Sequence, residues 1–227
     1  MMHKIFLLFA LYGAETFAND FQYSKVEAVP DLSFMPHVYS GLDVLEQMDF
    51  KPLQGKTIAV FCNQTAVNRN GRHILDILKD QPDIYTYVIL TPQYGLFGDQ
   101  VNKTKMIGKI EKDPNTGARI VNLLDRFVKP PEWTIRDVDV VLVDFQDTGV
   151  RYTTYMTTLT KIFEVASELH KPVIVLDRPN PIRGDRMDGP VVRTAYQSFE
   201  GYHLVPIRHG LTIGEYALMV NEMGWVK

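Results

Sequence analysis

Apolar residues fall in two alternating patterns along the chain. Short, nearly continuous runs of β-branched and aliphatic residues occur at "KTIAVFCNQT" (56–65), "YTYVILTP" (85–92), "ARIVNLL" (118–124), "VDVVLVDF" (138–145) and "KPVIVLD" (171–177). Each reads as a strand buried on both faces. Between them apolar positions recur every three or four residues. "GLDVLEQM" (41–48) is a short helix, and "GRHILDILKDQ" (71–81) is a second, with Ile74, Leu75, Ile77 and Leu78 on one side. Residues 152–170 give the clearest helix, stepping through Tyr152, Tyr155, Met156, Leu159, Ile162, Phe163, Ala166 and Leu169. Thr212 and Glu215 form a capping box ahead of "YALMVNEM". Strands alternating with helices predict an α/β fold: a parallel sheet with helices on both faces. The polar segment 99–117 reads as a long excursion, a flap over the site.

The first residues break this alternation. Lys4 precedes an apolar run of ten, Ile5 to Ala14, too short to span a bilayer, which takes about 20 residues. Thr16-Phe17-Ala18 offers small residues at a cleavage point. The expected organisation is a signal peptide over 1–18, a lead-in over 19–40 and one domain over 41–227. The protein is then exported to the periplasm or beyond. No cysteine stands directly after the leader, where Asn19 lies, so no stable membrane anchor is expected.

Composition narrows the partners. Of 227 residues 45% are hydrophobic and 22% charged, and the net charge is −3. Without a basic block, nucleic acid is not an expected partner. The single cysteine, Cys62, excludes an intrachain disulfide and sits in an apolar run that reads as core. Eleven Tyr and twelve Phe suit an ordinary soluble core and equally suit stacking on sugar rings.

Chemistry collects where the predicted strands end. In open parallel sheets, ligands bind beyond the carboxyl ends of the strands. Those ends carry Asn63, Gln64 and Thr65, then Gln93 and Tyr94, then Asp144, Gln146, Asp147 and Arg151, then Asp177, Arg178 and Asn180. Four polar strand ends on one edge point to a shared site. There is no glycine-rich nucleotide loop, no Walker A sequence and no nucleophile elbow, and the six histidines lack metal spacing, so neither a cofactor nor a metal is expected. His73 reads as a surface or satisfied residue. His209, just before the capped helix, fits a functional and a structural role equally. In "LDRPNPIRGDRMDGP" (176–190), prolines stiffen a loop that carries Asp, Arg and Asn.

"DFQDTGVRYTTY", "VLDRPNPIRGDRMDGP", "PIRHGLTIGE" and "CNQTAVNRNG" together resemble the NamZ-type exo-β-N-acetylmuramidases, formerly a domain of unknown function, from about Gly41 onward. The resemblance implies a Rossmann-like α/β unit without a nucleotide. It also implies an exported glycoside hydrolase that releases N-acetylmuramic acid from the non-reducing end of peptidoglycan fragments. A second, smaller domain completes the cleft in that family and is absent from these 227 residues. The chain departs from the family at Pro92-Gln93-Tyr94-Gly95, where the family has Pro-Glu-His-Gly. Gln93 thus takes the place of the glutamate that best fits the family's acid, and impaired catalysis is expected. Asp147 and Asp177 are the carboxylates left to act as acid or base. In this reading Arg151 and Arg178 bind anionic or polar groups of the sugar, such as the lactyl carboxylate. Asn63, Gln93, Tyr94, Gln146, Asn180 and His209 contact or position the ring. The expected partners are peptidoglycan fragments or other muramic-acid-containing sugars. The alternative reading is a non-catalytic muropeptide- or sugar-binding module. A nucleotide-binding domain ranks third, because the phosphate loop is missing.

Overall fold

The computed structural model describes residues 5–8, 38–98, 111–123 and 129–226. Among the described residues seven strands form one sheet: β1 (Ile5–Leu8), β2 (Thr57–Cys62), β3 (Tyr85–Thr91), β4 (Glu111–Lys112), β5 (Arg119–Asn122), β6 (Val140–Asp144) and β7 (Val173–Leu176). Their order is β1-β7-β6-β2-β3-β5-β4. Every adjacent pair is parallel except the short β4–β5 edge. The five strands expected from the apolar runs all form, within a few residues of the predicted bounds.

Side chains alternate along each strand and divide the core in two. Ala59, Phe61, Val141, Val143 and Phe145 face helices α4 (Thr154–Glu168) and α5 (Ile213–Glu222). Ile58, Val60, Cys62, Val140 and Leu142 face α1 (Gly41–Gln47) and α2 (Ile74–Lys79). Strands buried on both faces need apolar residues at nearly every position, and this accounts for the unbroken Val/Ile/Leu runs. Cys62 is fully buried, as its sequence neighbours imply. A short helix, α3 (Trp133–Arg136), precedes β6.

Helix ends follow local chemistry. Ser40 and Asp43 form a capping box on α1, and Thr212 and Glu215 form the expected one on α5. His73 is half-buried and satisfied: its Nδ1 accepts from Leu75 N at the start of α2, and its Nε2 lies 2.9 Å from Asn63 O. Gly41 has a steric reason to be glycine. A Cβ there would lie 2.4 Å from Asp177 N, because α1 begins hard against the end of β7.

One sequence expectation is revised, and two others fall largely outside the described residues. Tyr152 is exposed and precedes α4, which starts at Thr154 behind its cap residue Thr153, so the apolar stripe begins at Tyr155. The polar excursion returns at β4 as an antiparallel edge, while the rest of the expected flap, 99–110, lies outside the described residues. Within the expected leader, Ile5–Leu8 pairs with β7 as a parallel edge strand. The remainder of 1–37 lies outside the described residues.

Candidate active site at the carboxyl edge of the sheet

Because β2, β3, β6 and β7 run the same way, the residues that follow them share one edge of the sheet. Asn63, Gln93, Asp147 and Asp177 all lie there. The side chains nonetheless fall into two groups, distinguished by whether the chain already satisfies their polar atoms.

The first group is framework. Phe145 takes the α4 side, so Asp144 turns to the other face. There it meets Arg178, whose Nε donates to Oδ1 at 2.6 Å and whose Nη2 donates to Oδ2 at 3.0 Å. Nη2 also donates to Val67 O at 3.0 Å. Burial pushes the Asp144 carboxyl up, and the Arg178 charge and hydrogen bonds oppose that rise. The two-pronged, buried pairing uses the guanidinium fork fully. Asp177 is likewise occupied. Its Oδ1 accepts from Gly214 N at 2.7 Å and Arg178 N at 2.9 Å, and its Oδ2 accepts from Thr212 Oγ1 at 3.0 Å. Burial raises its pKa against these bonds. Arg151 Nη1 donates to Pro190 O at 2.7 Å and Val205 O at 2.5 Å. Asn180 Nδ2 donates to Leu211 O, and its Oδ1 accepts from Ile182 N, both at 3.0 Å. Gln146 Nε2 reaches Asp147 O at 2.9 Å and Pro179 O at 3.0 Å. In this geometry Asp177, Arg178, Arg151, Asn180 and Gln146 use these polar atoms to hold loops together.

The second group leaves polar atoms open. Asp147 is buried, and its Oδ2 accepts from Gly149 N at 2.7 Å and from His209 Nε2 at 3.1 Å. Its Oδ1 is buried with no hydrogen-bond partner among the described residues. A buried carboxylate oxygen left unpaired is costly and therefore informative. Leu211 N donates to His209 Nδ1 at 3.2 Å, which leaves Nε2 to donate to Asp147 and orient it. Tyr216 packs edge-on against the His209 ring at 5.0 Å. Gly149 holds the turn at φ +82°, and a Cβ there would lie 2.5 Å from Asn180 Oδ1.

Around this carboxylate stand Asn63, Tyr155 and Tyr94. Asn63 Oδ1 is held by Thr65 N at 3.0 Å and by the Thr65 hydroxyl, while its buried Nδ2 has no acceptor at bonding geometry. Burial raises the Tyr155 phenol's pKa, the neighbouring Asn63 amide lowers it, and Tyr94 and Asp147 raise it through their charges. Gln93 is half-buried beside them, its Oε1 accepting from Thr154 Oγ1 at 3.0 Å. Tyr94 is exposed. Tyr155 escapes the sequence reading because its helical spacing marks it as core, and Thr154 because it falls off that stripe. Tyr155 does pack on Phe145, with ring centroids 5.6 Å apart, and only its hydroxyl end turns to the edge cluster.

This arrangement can exchange a proton through Asp147 and accept or donate hydrogen bonds through neutral side chains. Among the described residues no three or more His, Cys, Asp or Glu are grouped to hold a metal ion, and no helix is long and apolar enough to cross a membrane. A cavity of about 650 Å³ lies elsewhere, against Lys161, Phe199, Tyr202, His203 and Trp225. Its charged members are already joined, Lys161 Nζ donating to Glu164 Oε1 at 2.7 Å and to Tyr202 OH at 2.8 Å, so it offers no free acid.

Known proteins share this architecture. A family model described as exo-β-N-acetylmuramidase NamZ, N-terminal, matches residues 58–227. The peptidoglycan β-N-acetylmuramidase NamZ of Bacillus subtilis (strain 168) is 36% identical over 187 residues, which cover 82% of this chain and 45% of that one. Two crystal structures of DUF1343 family proteins from Bacteroides fragilis NCTC 9343 also match. One is 35% identical with a TM-score of 0.76, over 83% of this chain and 47% of that one. The other is 34% identical with a TM-score of 0.70, over 84% and 48%. The chain thus spans about half the length of these relatives. With most of its residues under the family model, the chain belongs to the NamZ exo-β-N-acetylmuramidase N-terminal family.

Proposed function

We propose that this chain is the sheet-bearing part of an exported glycoside hydrolase that removes β-linked N-acetylmuramic acid from peptidoglycan fragments. Asp147 is its acid–base carboxyl. The observation that carries this reading is the buried Asp147 with one oxygen fixed by His209 and Gly149 and the other unpaired. Glycosidic cleavage needs a carboxyl group beside the scissile bond. Asn63, Tyr155, Tyr94 and Gln93 supply a polar, partly aromatic surface for a pyranose.

Gln93 lies where the resemblance puts a glutamate, and an amide has no proton to give at useful pKa. Turnover by this chain is therefore weak. The same observation favours a second reading, a muropeptide-binding module with no turnover. The apolar run from Ile5 to Ala14, followed by Thr16-Phe17-Ala18, supports export with cleavage after Ala18.

Hydrolysis of a chromogenic β-N-acetylmuramide tests the reading, with Asp147→Asn alongside. Measurable turnover that the variant loses supports the enzyme. Muramic-acid binding without turnover supports the module, and no binding of any muramic-acid sugar removes both. Mass spectrometry of the secreted protein is expected to begin at Asn19, and an intact Met1 in the exported fraction would count against the leader.

A further inference from the structure

Among the described residues, Arg208 has two guanidinium nitrogens with no acceptor, the buried Nε and Nη2. The residue itself is firmly placed. Arg208 N donates to Asp188 O at 2.9 Å, Asp188 N donates to Arg208 O at 3.0 Å, and a second bridge joins Arg208 to Val150. Its neighbour His209 holds the Asp147 carboxylate. Asp188, directly opposite in the exchanged pair, does not neutralise it: Asp188 Oδ1 accepts from Gly189 N at 2.6 Å. A guanidinium stays charged at any working pH, so burial cannot be relieved by losing the proton. Leaving such donors unpaired is expensive, and a carboxylate is the acceptor that fits their planar fork.

Of the two arginines that the sequence reading offers for an acidic group, Arg178 is paired with Asp144, and Arg151 turns its Nη1 to main-chain carbonyls. We infer that Arg208 is the anchor for a ligand carboxylate at the Asp147 edge, which on the glycan reading above is the lactyl carboxylate of N-acetylmuramic acid. It acts in specificity, selecting an acidic sugar over its neutral counterpart, and takes no part in proton transfer.

The full chain is titrated with N-acetylmuramic acid and with N-acetylglucosamine, which lacks the lactyl group. The wild type is expected to prefer muramic acid by roughly tenfold or more, as a charge-assisted pair implies. Arg208→Met is expected to bring the two affinities together by weakening muramic acid alone, and Arg208→Lys to restore part of the gap. In wild-type ¹⁵N spectra the Arg208 Nε–H signal, assigned by its loss in Arg208→Lys, is expected to move with muramic acid and not with N-acetylglucosamine. That measurement decides the matter even where Arg208→Met does not fold. A preference that survives Arg208→Met, or a still Nε–H signal, overturns the proposal. Equal wild-type affinity for both sugars also overturns it, while leaving the glycan reading standing. Binding of neither sugar removes the glycan reading and the carboxylate anchor with it.

Discussion

His209 donates from Nε2 to Asp147 Oδ2 across 3.1 Å, and both side chains are buried. The histidine keeps its proton on that nitrogen because Leu211 N occupies the other. Asp147→Asn preserves shape and removes the transferable proton. Any hydrolysis of a chromogenic muramide is expected to fall by about 10²–10⁴-fold. His209→Gln keeps a donor near Asp147 but loses the ring's fixed orientation, so a smaller fall in kcat with little change in KM is expected. Steady-state kinetics of the two variants separates these outcomes.

Gln93→Glu changes an amide into a carboxyl at the same length. The new group meets the Thr154 hydroxyl, which already donates to Gln93 Oε1. Partial burial and the neighbouring Asp147 charge both favour a protonated acid there. The variant is expected to gain hydrolysis over the wild type without a matching gain in muramic-acid affinity. Unchanged turnover would show that the lost glutamate alone does not limit the reaction.

Arg178→Met is expected to cost about 3–5 kcal/mol, because it leaves Asp144 charged and fully buried. Replacing both partners with apolar residues of similar volume is expected to cost far less. Urea unfolding of the single and double variants checks this. Equal losses in both would mean that the pair's packing, not its charge, carries the stability.

His203 gives the fold a pH dependence. Burial, and then the charge of Lys161, lower its pKa to about 4 from 6.5. The unfolded chain therefore takes up a proton before the folded one does as pH falls. The stabilisation is complete above pH 6.5 and is lost down through about pH 4, an amplitude of up to about 3 kcal/mol. Urea midpoints measured from pH 7 to 4.5 should fall accordingly, and His203→Gln should flatten that slope.

The strands were legible because a strand buried on both faces has no freedom to be polar, and "VDVVLVDF" or "KPVIVLD" could hardly be anything else. The edge of the sheet was legible for the same reason, since parallel strands deliver their last residues to one place. The division of labour among the polar residues was not. Asp147 and Asp177 look alike in sequence. One keeps a bare oxygen, whereas the other is filled by Gly214 and Thr212, some 35 residues downstream. Asp144 and Arg178 find each other across 34 residues. Such partners depend on how loops return to the sheet, which local patterning does not encode. Tyr152 took the helical period one step too far, because the period continues through Thr153, where the cap stops it.

Asp177 has a consequence beyond its own hydrogen bonds. Its carbonyl accepts Gly41 N at 2.7 Å, on the α1 side of the sheet, and its carboxylate accepts Gly214 N at 2.7 Å, on the α5 side. One residue thus rivets the first turns of two helices on opposite faces of the sheet. Fraying at either helix start pulls on the same peptide unit, so the two layers share a single opening event instead of breathing independently. The floor on which Asp147 and Asn63 stand is thereby stiffened from both sides.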